Sequence, residues 1–391
     1  MSILSLFLTS LLLHACVGWT VALDLTAVHP ILGAALWVLL LLSAMLLPMG
    51  FLARRITRPV LSIGLTWLGL LCMGLGSSLF VFALLREVTL LAVQGLHWFW
   101  PSVSSLAVLT NVRADTALMV PVLGLLVTLW GFSNARRTAA VVRVDVPIAN
   151  LPTALQGFRV VQISDIHLGP TIKRSYLKRI VERVNNLEAD MVAITGDLVD
   201  GSVAELRNDV SPLTTLTSTH GTFFVTGNHE YYSGAHAWID TLRGLGIHVL
   251  MNEHVVIHHH LDSQDPEPAM MVVAGVTDFS AHHFDETHRS DPARAIAGAP
   301  DEAMFRLLLA HQPRSASAAL QAGFDLQLSG HTHGGQFWPW NHFVKWQQPF
   351  TAGLHRLQSL WVYTSRGTGY WGPPKRFGAP SEITLLRLVR A

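Results

Sequence analysis

The sequence predicts a helical membrane-spanning region followed by a layered α/β domain. Three observations lead to this fold class. Only 14% of the 391 residues are charged and 50% are hydrophobic, whereas soluble domains carry about 25% charged residues. The first 135 residues contain five arginines and three acidic residues, so nearly all of the charge lies in the remainder. From about residue 140, short β-branched runs alternate with amphipathic helical stretches, which is typical of an α/β domain.

Length and charge suggest how the chain is divided. A chain of 391 residues is long enough for two or more domains. We expect residues 1–135 to form a transmembrane anchor, residues 136–152 a linker and first strand, and residues 153–391 the α/β domain. The polar part carries 22 basic and 23 acidic residues, without the clustered positive charge of a nucleic-acid-binding surface. Cys16 and Cys72 both lie in the apolar third, which excludes a disulfide framework or a cysteine-based zinc site in the polar part.

Four uncharged stretches reach the roughly 20 apolar residues that cross a bilayer: residues 3–23, 30–53, 60–85 and 116–135. A fifth stretch, residues 88–112, contains Gln94, His97 and Pro101 and is rich in tryptophan, which favours an interfacial segment with an aromatic belt. A fifth span stays open as the alternative. His14, inside the first stretch, is expected to form an interhelical hydrogen bond rather than to relay protons.

The arginines predict the orientation of the anchor. Arg54, Arg55 and Arg58 follow the second stretch, and Arg136 and Arg137 follow the fourth. With four spans both clusters lie on one side, and basic residues favour the cytoplasmic side. We therefore expect an integral protein of a bacterial inner membrane with its N-terminus and its α/β domain in the cytoplasm. The first stretch lacks the basic start of a cleaved signal peptide, and the spans lack the ionisable residues typical of transporters.

The polar part predicts about eight strands with helices between them. Apolar runs predict strands at residues 158–164, 191–195, 222–226, 270–276, 305–310, 326–329, 360–364 and 383–389. Residues 175–187 have the spacing of an amphipathic helix. Prolines and acidic residues predict surface loops at residues 264–268 and 290–301.

The residues that suggest chemistry come just after the carboxyl ends of predicted strands. They are Asp165 and His167, Asp197, Asn228 and His229, His311, and His331 and His333. Ligands of open α/β sheets bind beyond these strand ends, so separate loops can converge there. Asp, His and Asn hold divalent metals, and the set suffices for two ions. A glycine precedes Asp197, Asn228 and His331, where a sharp turn would aim the next side chain at the site.

Each of these motifs alone also fits an ordinary loop, turn or helix cap. In combination, D-x-H, G-D, G-N-H-E, a lone histidine and G-H-x-H resemble the calcineurin-like metallophosphoesterases over roughly residues 144–389. Residues 227–234, 330–336 and 365–369 are similar to the YkuE-like subgroup, which includes transmembrane proteins with a metallophosphoesterase domain. The resemblance implies a four-layer α/β/β/α sandwich with a dinuclear metal centre between its two sheets.

The resemblance also implies how the two metals are held. One ion would be bound by Asp165, His167, Asp197 and His333. The other would be bound by Asp197, Asn228, His311 and His331. The shared carboxylate of Asp197 would place negative charge between two cations that repel each other. Mn, Fe and Zn all accept such ligands, so the ligand types do not identify the metals.

In this family a hydroxide held between the metals attacks phosphorus without a covalent enzyme intermediate. His229 follows the ligand Asn228 but is free of the metals in the family. It is the expected general acid that protonates the leaving oxygen, because the pKa of histidine lies near neutral pH. The alternative role for His229 is a hydrogen bond that only orients a ligand.

Several aromatic and basic residues allow two interpretations. Tyr231 and Tyr232 fit substrate contact and loop packing equally, and Arg366 favours an ion pair over a phosphate contact. The histidine runs at residues 258–260 and 282–283 favour a surface strand and loop over a zinc site. Residues 337–340, with Trp346, Phe350 and Trp371, fit either a core or a rim that faces lipid.

The sequence therefore predicts a membrane-anchored phosphoesterase that uses two divalent metal ions to hydrolyse a phosphoester or pyrophosphate bond. The expected partners are a phosphorylated small-molecule or lipid substrate and the lipid bilayer. No nucleic-acid binding is expected, and the sequence leaves the question of protein partners open. The alternative is a membrane sensor or scaffold that binds a phosphorylated ligand without turnover. The presence of His229 favours the enzyme, because a binding module does not need a general acid.

Overall fold

The computed structural model describes residues 3–101, 105–260 and 268–391. The chain forms two compact units. One unit consists of residues 1–134 and 372–377, and the other of residues 135–371 and 378–391. Residues 264–267 of the loop expected at 264–268 lie outside the described residues.

The described part of the first unit contains four long helices that are apolar enough to cross a bilayer, in agreement with the four predicted apolar stretches. They are α1 Ile3–Val28, α2 Pro30–Leu52, α3 Pro59–Phe99 and α4 Leu106–Arg136. His14 Nε2 of α1 lies 2.8 Å from Ser43 Oγ of α2. His14 therefore makes the interhelical hydrogen bond that the sequence predicts.

Helix α3 is longer than a membrane span. Its 41 residues extend about 60 Å at the helical rise, twice the thickness of a hydrocarbon core. Residues 88–99 continue α3 and residues 106–112 begin α4. The described part of the stretch expected at the interface, residues 88–112, is therefore helical and continuous with α3 and α4, since no proline interrupts α3 before Pro101. Its position at the membrane interface stays a prediction.

A cluster of charged residues lies inside the helical unit. Arg86 of α3 is 3% exposed and donates to the carboxylate of Asp24 on α1. Arg86 also lies 3.1 Å from Thr116 Oγ1 of α4 and 3.0 Å from Glu87 Oε1. The guanidinium of Arg113 lies 3.2 Å from Asp24. Because a buried guanidinium is tolerated only when it is paired, this cluster fixes α1, α3 and α4 against one another.

A short segment from late in the chain, residues 372–377, also belongs to the helical unit. Lys375 Nζ donates to the carbonyl of Gly74 at 3.0 Å and to the hydroxyl of Ser78. The backbone N–H of Arg376 donates to the carbonyl of Gly131 at 2.8 Å. These bonds satisfy the polar groups of a segment that packs against α3 and α4.

The second unit is an α/β domain with two mixed sheets of six strands each among its described residues. The first sheet has the order β1-β12-β2-β3-β4-β5 and the second the order β10-β11-β9-β8-β7-β6. The strands are β1 Ala140–Ile148, β2 Arg159–Ile163, β3 Met191–Ile194, β4 Thr222–Phe224, β5 His248–Val249, β6 Glu253–His259, β7 Ala269–Gly275, β8 Phe305–Leu309, β9 Leu326–Ser329, β10 Gly353–Leu357, β11 Leu360–Thr364 and β12 Glu382–Arg390. The helices are α5 Arg174–Asn185, α6 Val203–Val210, α7 Asn228–Ser233, α8 Ala235–Gly244, α9 Pro292–Ile296 and α10 Ala316–Gln321.

Three apolar clusters hold this unit together. The middle cluster joins residues of both sheets, such as Val160 and Met191 of the first and Met271 and Leu307 of the second. A second cluster joins the other face of the first sheet to α5, α6 and α8. The third joins the other face of the second sheet to α9 and α10. The predicted α/β fold with two mixed sheets is confirmed, whereas the four-layer order stays a prediction.

The strands that the sequence predicts are those with continuous apolar runs, and all eight are present. The additional strands β5, β6 and β10 expose part of their side chains, which is why their sequences lack such a run. Strands β2, β3 and β4 are parallel to one another, as are β7, β8, β9 and β11. In each sheet the carboxyl ends of the parallel strands therefore lie at the same edge, where the loops that follow them can meet.

Candidate metal centre

The predicted ligands lie on loops that leave the parallel strands of both sheets. Asp165 and His167 follow β2, Asp197 follows β3, and Asn228 begins α7 after β4. His311 follows β8, and His331 and His333 follow β9. A buried amide joins the two sheets beneath these loops: Gln162 Nε2 of β2 donates to the carbonyl of Ser329 in β9 at 2.9 Å.

Asp165, His167 and His333 form one group. His167 Nε2 lies 3.0 Å from His333 Nε2, and His333 Nε2 lies 3.6 Å from Asp165 Oδ1. All three residues are buried. The backbone N–H of His331 donates to Asp165 at 2.9 Å, which fixes that carboxylate and joins the D-x-H loop to the G-H-x-H loop.

Asp197, His311 and His331 form a second group. Asp197 Oδ2 lies 3.2 Å from His311 Nε2, and His331 Nδ1 lies 3.2 Å from the same nitrogen. His311 Nδ1 lies 2.7 Å from the carbonyl of Thr195. Since a carbonyl only accepts, Nδ1 carries the hydrogen and Nε2 points into the group. Asp197 Oδ2 also lies 3.8 Å from His167 Nε2, so this carboxylate lies between the two groups.

These residues fit metal ions, because atoms with lone pairs face one another. Asn228 Oδ1 is buried without a hydrogen-bond partner, although buried acceptors are normally paired. Burial and the neighbouring His311 ring lower the pKa of His331 to about 3, which leaves its ring neutral. Burial raises the pKa of Asp197, but His311, His229 and His167 outweigh it and hold this pKa well below its usual value. The neutral ring of His331 and the charged carboxylate of Asp197 are ligand forms that metals accept. Burial lowers the pKa of His311, but the charge of Asp197 outweighs burial and raises this pKa well above its usual value, so a cation would displace a proton from that ring.

Five of the seven predicted ligands have a left-handed backbone, with φ between 52° and 70°. They are Asp165, His167, Asp197, His331 and His333. Residues other than glycine rarely adopt this conformation, and such strain is concentrated at functional sites. Hydrogen bonds from neighbouring loops maintain this backbone conformation. For example, the backbone N–H of His167 donates to the carbonyl of Asp197 at 3.1 Å.

Glycine is needed at two positions of the motifs for different physical reasons. Gly196 has φ of +83°, as expected for a sharp turn. The explanation by a turn is wrong for Gly227, whose φ is −96°. A Cβ atom at Gly227 would lie 2.2 Å from Asp197 Oδ1, so the requirement there is space for the carboxylate.

We expect Gly227→Ala to displace Asp197 and to weaken metal binding by roughly 10- to 100-fold, the effect typical of disturbed ligand positions. Metal content of the full-length protein in detergent, measured after dialysis against a set free-metal concentration, tests this. Gly244→Ala is the matched control, because a Cβ atom at Gly244 meets no atom within 4 Å. Equal metal content in both variants would contradict the steric explanation.

His229, the predicted general acid, lies beside the predicted metal ligands. Its Nε2 is 4.0 Å from Asp197 Oδ2, and its Nδ1 donates to Asp200. Burial lowers the pKa of His229, but the hydrogen bond to Asp200 and the charge of Asp197 outweigh burial and raise the pKa to about 9. The ring therefore lies at the edge of the ligand cluster with Nδ1 held and Nε2 directed towards the cluster.

Sequence reasoning missed Asp200. Its Oδ1 accepts from His229 and its Oδ2 lies 3.3 Å from His167 Nδ1. One carboxylate therefore orients the predicted acid and also lies next to a predicted ligand. Asp200 is three residues after Asp197, and this spacing was the only signal in the sequence.

Glu230 was noted only as part of a motif, and its role is structural. The buried carboxylate accepts backbone N–H groups of Gly227 at 2.6 Å, Asp197 at 3.0 Å and Leu198 at 2.8 Å. Burial and the charge of Asp197 raise the pKa of Glu230 to about 8. Glu230 thereby connects the loop after β3 to the start of α7.

The structure distinguishes between the two roles considered for the aromatic and basic residues near the site. Tyr231 is buried and its hydroxyl lies 2.9 Å from His288 Nδ1, so it packs the loop. Tyr232 and Trp371 are exposed, and their ring centres lie 5.1 and 5.9 Å from that of His229. Arg366 forms the predicted ion pair, with Glu382 at 2.8 Å.

Several known proteins are similar in sequence to this chain. Residues 158–335 match the family described as calcineurin-like phosphoesterase. The transmembrane protein with metallophosphoesterase domain of Danio rerio is 40% identical over 279 residues, which cover 69% of this chain and 63% of that protein. The uncharacterized metallophosphoesterase Cj0846 of Campylobacter jejuni is 37% identical over 71% of this chain and 70% of that protein. The uncharacterized metallophosphoesterase YkuE of Bacillus subtilis is 27% identical over 61% of this chain and 81% of that protein. The chain thus spans less than two thirds of the length of the Danio rerio relative.

Proposed function

Because the chain belongs to the calcineurin-like phosphoesterases, we propose that it is a membrane-anchored hydrolase of a phosphoester or pyrophosphate bond. The observation that carries the proposal is the convergence of two His and Asp groups on the carboxylate of Asp197. A non-enzymatic sensor would not need the neighbouring His229 and Asp200 pair. The proposal thus combines a metal centre with a group that can supply a proton.

Two divalent cations are proposed to occupy the centre. Asp165, His167, Asp197 and His333 would hold one ion. Asp197, Asn228, His311 and His331 would hold the other. When bound, such a pair supplies an activated water and neutralises the phosphoryl oxygens. The protein positions the ligands, and Asp197 separates the two charges.

His229 is proposed to protonate the leaving oxygen. Asp200 holds Nδ1–H, so Nε2–H can be given to the leaving group while the ring keeps its orientation. The aromatic rings of Tyr232 and Trp371 flank His229 and form the walls that a leaving group would meet. General acids of this kind contribute typically 10²- to 10⁴-fold to the rate.

The direct test of activity is hydrolysis of p-nitrophenyl phosphate and bis-p-nitrophenyl phosphate by the full-length protein in detergent with added Mn²⁺. We expect turnover of at least one of them that a chelator abolishes and Mn²⁺ restores, because the centre needs its cations. Metal binding without turnover of either ester, or of a pyrophosphate diester, would instead support the sensor.

We further propose that the substrate is linked to a lipid. The loop after His333 begins with buried Phe337, but Trp340, Phe343 and Trp346 are 39%, 43% and 76% exposed. The core interpretation is therefore wrong for the tip of this loop. Grouped exposed aromatic side chains mark interaction sites, and Trp has the amphipathic ring that suits a membrane interface. The four apolar helices keep the same chain at a bilayer.

Replacing Trp340 and Trp346 by Ala should lower hydrolysis of a phospholipid-type ester in vesicles by roughly tenfold or more, since each interfacial aromatic contributes on the order of 1 kcal/mol. Hydrolysis of soluble p-nitrophenyl phosphate should stay unchanged. Exposed Trp98, which ends α3, offers the control variant Trp98→Ala. Equal losses on both substrates would reject the lipid-linked substrate.

The orientation is also proposed. Arg55 and Arg58 follow α2, Arg136 ends α4, and Arg137 follows it. If the two intervening helices both span the bilayer, the two pairs lie on one side, and the positive-inside rule favours the cytoplasm for that side. A reporter that is active only outside the cytoplasm should therefore give no signal when it is fused to the C-terminus. A signal would indicate the opposite orientation.

A further inference from the structure

Three side chains that do not belong to the centre described above meet on the surface of the α/β unit. His236 lies in the first turn of α8, and Asp285 and His288 lie in the loop between β7 and α9. His236 Nε2 is 3.1 Å from Asp285 Oδ2, and His288 Nε2 is 3.9 Å from the same oxygen. All three atoms lie within 4.8 Å of one another. Ligand atoms around a tetrahedral zinc ion are about 3.4 Å apart, given bonds of about 2.0–2.1 Å, so only small shifts are needed.

The remaining polar atoms of Asp285 and His288 are already occupied. Asp285 Oδ1 accepts the backbone N–H of Thr287 at 2.9 Å and its hydroxyl at 2.6 Å. His288 Nδ1 lies 2.9 Å from the hydroxyl of Tyr231. The atoms of Asp285 and His288 that converge with His236 are therefore the ones that Thr287 and Tyr231 do not engage. Metal-binding histidines almost always have their other nitrogen hydrogen-bonded in this way.

The backbone and exposure of the group also suit a cation. The carbonyl of His288 accepts from Thr277 Oγ1 at 2.7 Å, which holds the loop. The side chain of His236 is 72% exposed, whereas those of Asp285 and His288 are 26% and 15% exposed. One side of the group is thus open to solvent, where water can complete the coordination.

We propose that His236, Asp285 and His288 form a third metal site, separate from the dinuclear centre, that binds a borderline divalent cation such as Zn²⁺. Two imidazoles and one carboxylate are a ligand set that zinc accepts. The ion joins the loop after β7 to α8. Through Tyr231 it also supports α7, the helix that carries Asn228 and His229. The site does not depend on the proposed hydrolase activity.

Zinc stoichiometry of the full-length protein tests the site. The protein in detergent is stripped with a chelator, reloaded with Zn²⁺, desalted and analysed by mass spectrometry for zinc per chain. Wild type should hold one equivalent more than His236→Gln and one more than His288→Gln. His283→Gln is the matched control, because His283 lies in the same loop outside the group. Equal zinc in wild type and both group variants would overturn the proposal.

The Asp197→Asn background separates this site from the dinuclear centre. That change is expected to empty the centre and to leave one site, which Co²⁺ should occupy with the visible absorption of a low-coordinate ion. Adding His236→Gln should remove the absorption. Absence of Co²⁺ absorption in a folded Asp197→Asn protein, judged by circular dichroism, would mean that the three side chains form only a hydrogen-bonded cluster. Failure of the hydrolase proposal would leave this absorption unchanged.

Discussion

Asp197→Asn is expected to lower kcat/KM by roughly 10³-fold or more and to reduce the metal content of the centre. The Oδ2 atom of Asp197 lies between the two groups, at 3.2 Å from His311 Nε2 and 3.8 Å from His167 Nε2. An amide has the same shape but no charge, so it would not compensate two adjacent cations. The stabilisation of transition-state charge by such ions amounts to several kcal/mol, and about 1.4 kcal/mol corresponds to tenfold in rate.

The measurement compares activity and metal per chain with those of wild type. Asp240→Asn is the control, since Asp240 is an exposed carboxylate on α8. The fold should persist, because the shape of the side chain and its acceptor for the His229 N–H at 2.9 Å are retained. Full metal occupancy in Asp197→Asn would contradict the bridging assignment.

The sequence predicts which residues converge because strand ends are visible in it. The runs that become β2, β3, β4, β8 and β9 are apolar and short, and their polar neighbours lie at one edge of each sheet. The sequence pattern does not reveal the strained, left-handed backbone of the predicted ligands. Asp165 at φ 53° and His331 at φ 70° are held by contacts from distant loops, such as His331 N to Asp165 at 2.9 Å.

Residues that act through others were harder to predict for a similar reason. Asp200 and Glu230 reach their partners only after the loops have folded, across 29 residues to His229 and 33 residues to Asp197. Likewise, His236 and Asp285 are 49 residues apart, so no local spacing reveals their group. Short-range patterns predict elements and motifs, whereas these contacts depend on how the loops pack.

His229→Ala is expected to keep the metal content and to lose most of the turnover, by a factor that depends on the leaving group. An alkyl alcohol needs a proton to leave, so hydrolysis of an alkyl phosphate should fall by roughly 10²- to 10⁴-fold, the usual contribution of a general acid. p-Nitrophenolate is stable without a proton, and its ester should lose much less. His229 contacts Asp197 only through its backbone N–H and a 4.0 Å side-chain approach, so the metal ligands should remain in place.

The ratio of the two rates distinguishes proton donation from simple positioning. Asp200→Asn should shift this ratio in the same direction and by less, because an amide still accepts the hydrogen bond from His229 Nδ1 but lacks the charge that stabilises the protonated ring. His258→Ala, at an exposed histidine of β6, should leave both rates unchanged. If His229→Ala lowered both rates equally, the ring would only orient substrate; if kcat were unchanged, His229 would have no catalytic role. If His229 supplies the proton, the loss of rate in His229→Ala must be larger for a more basic leaving oxygen.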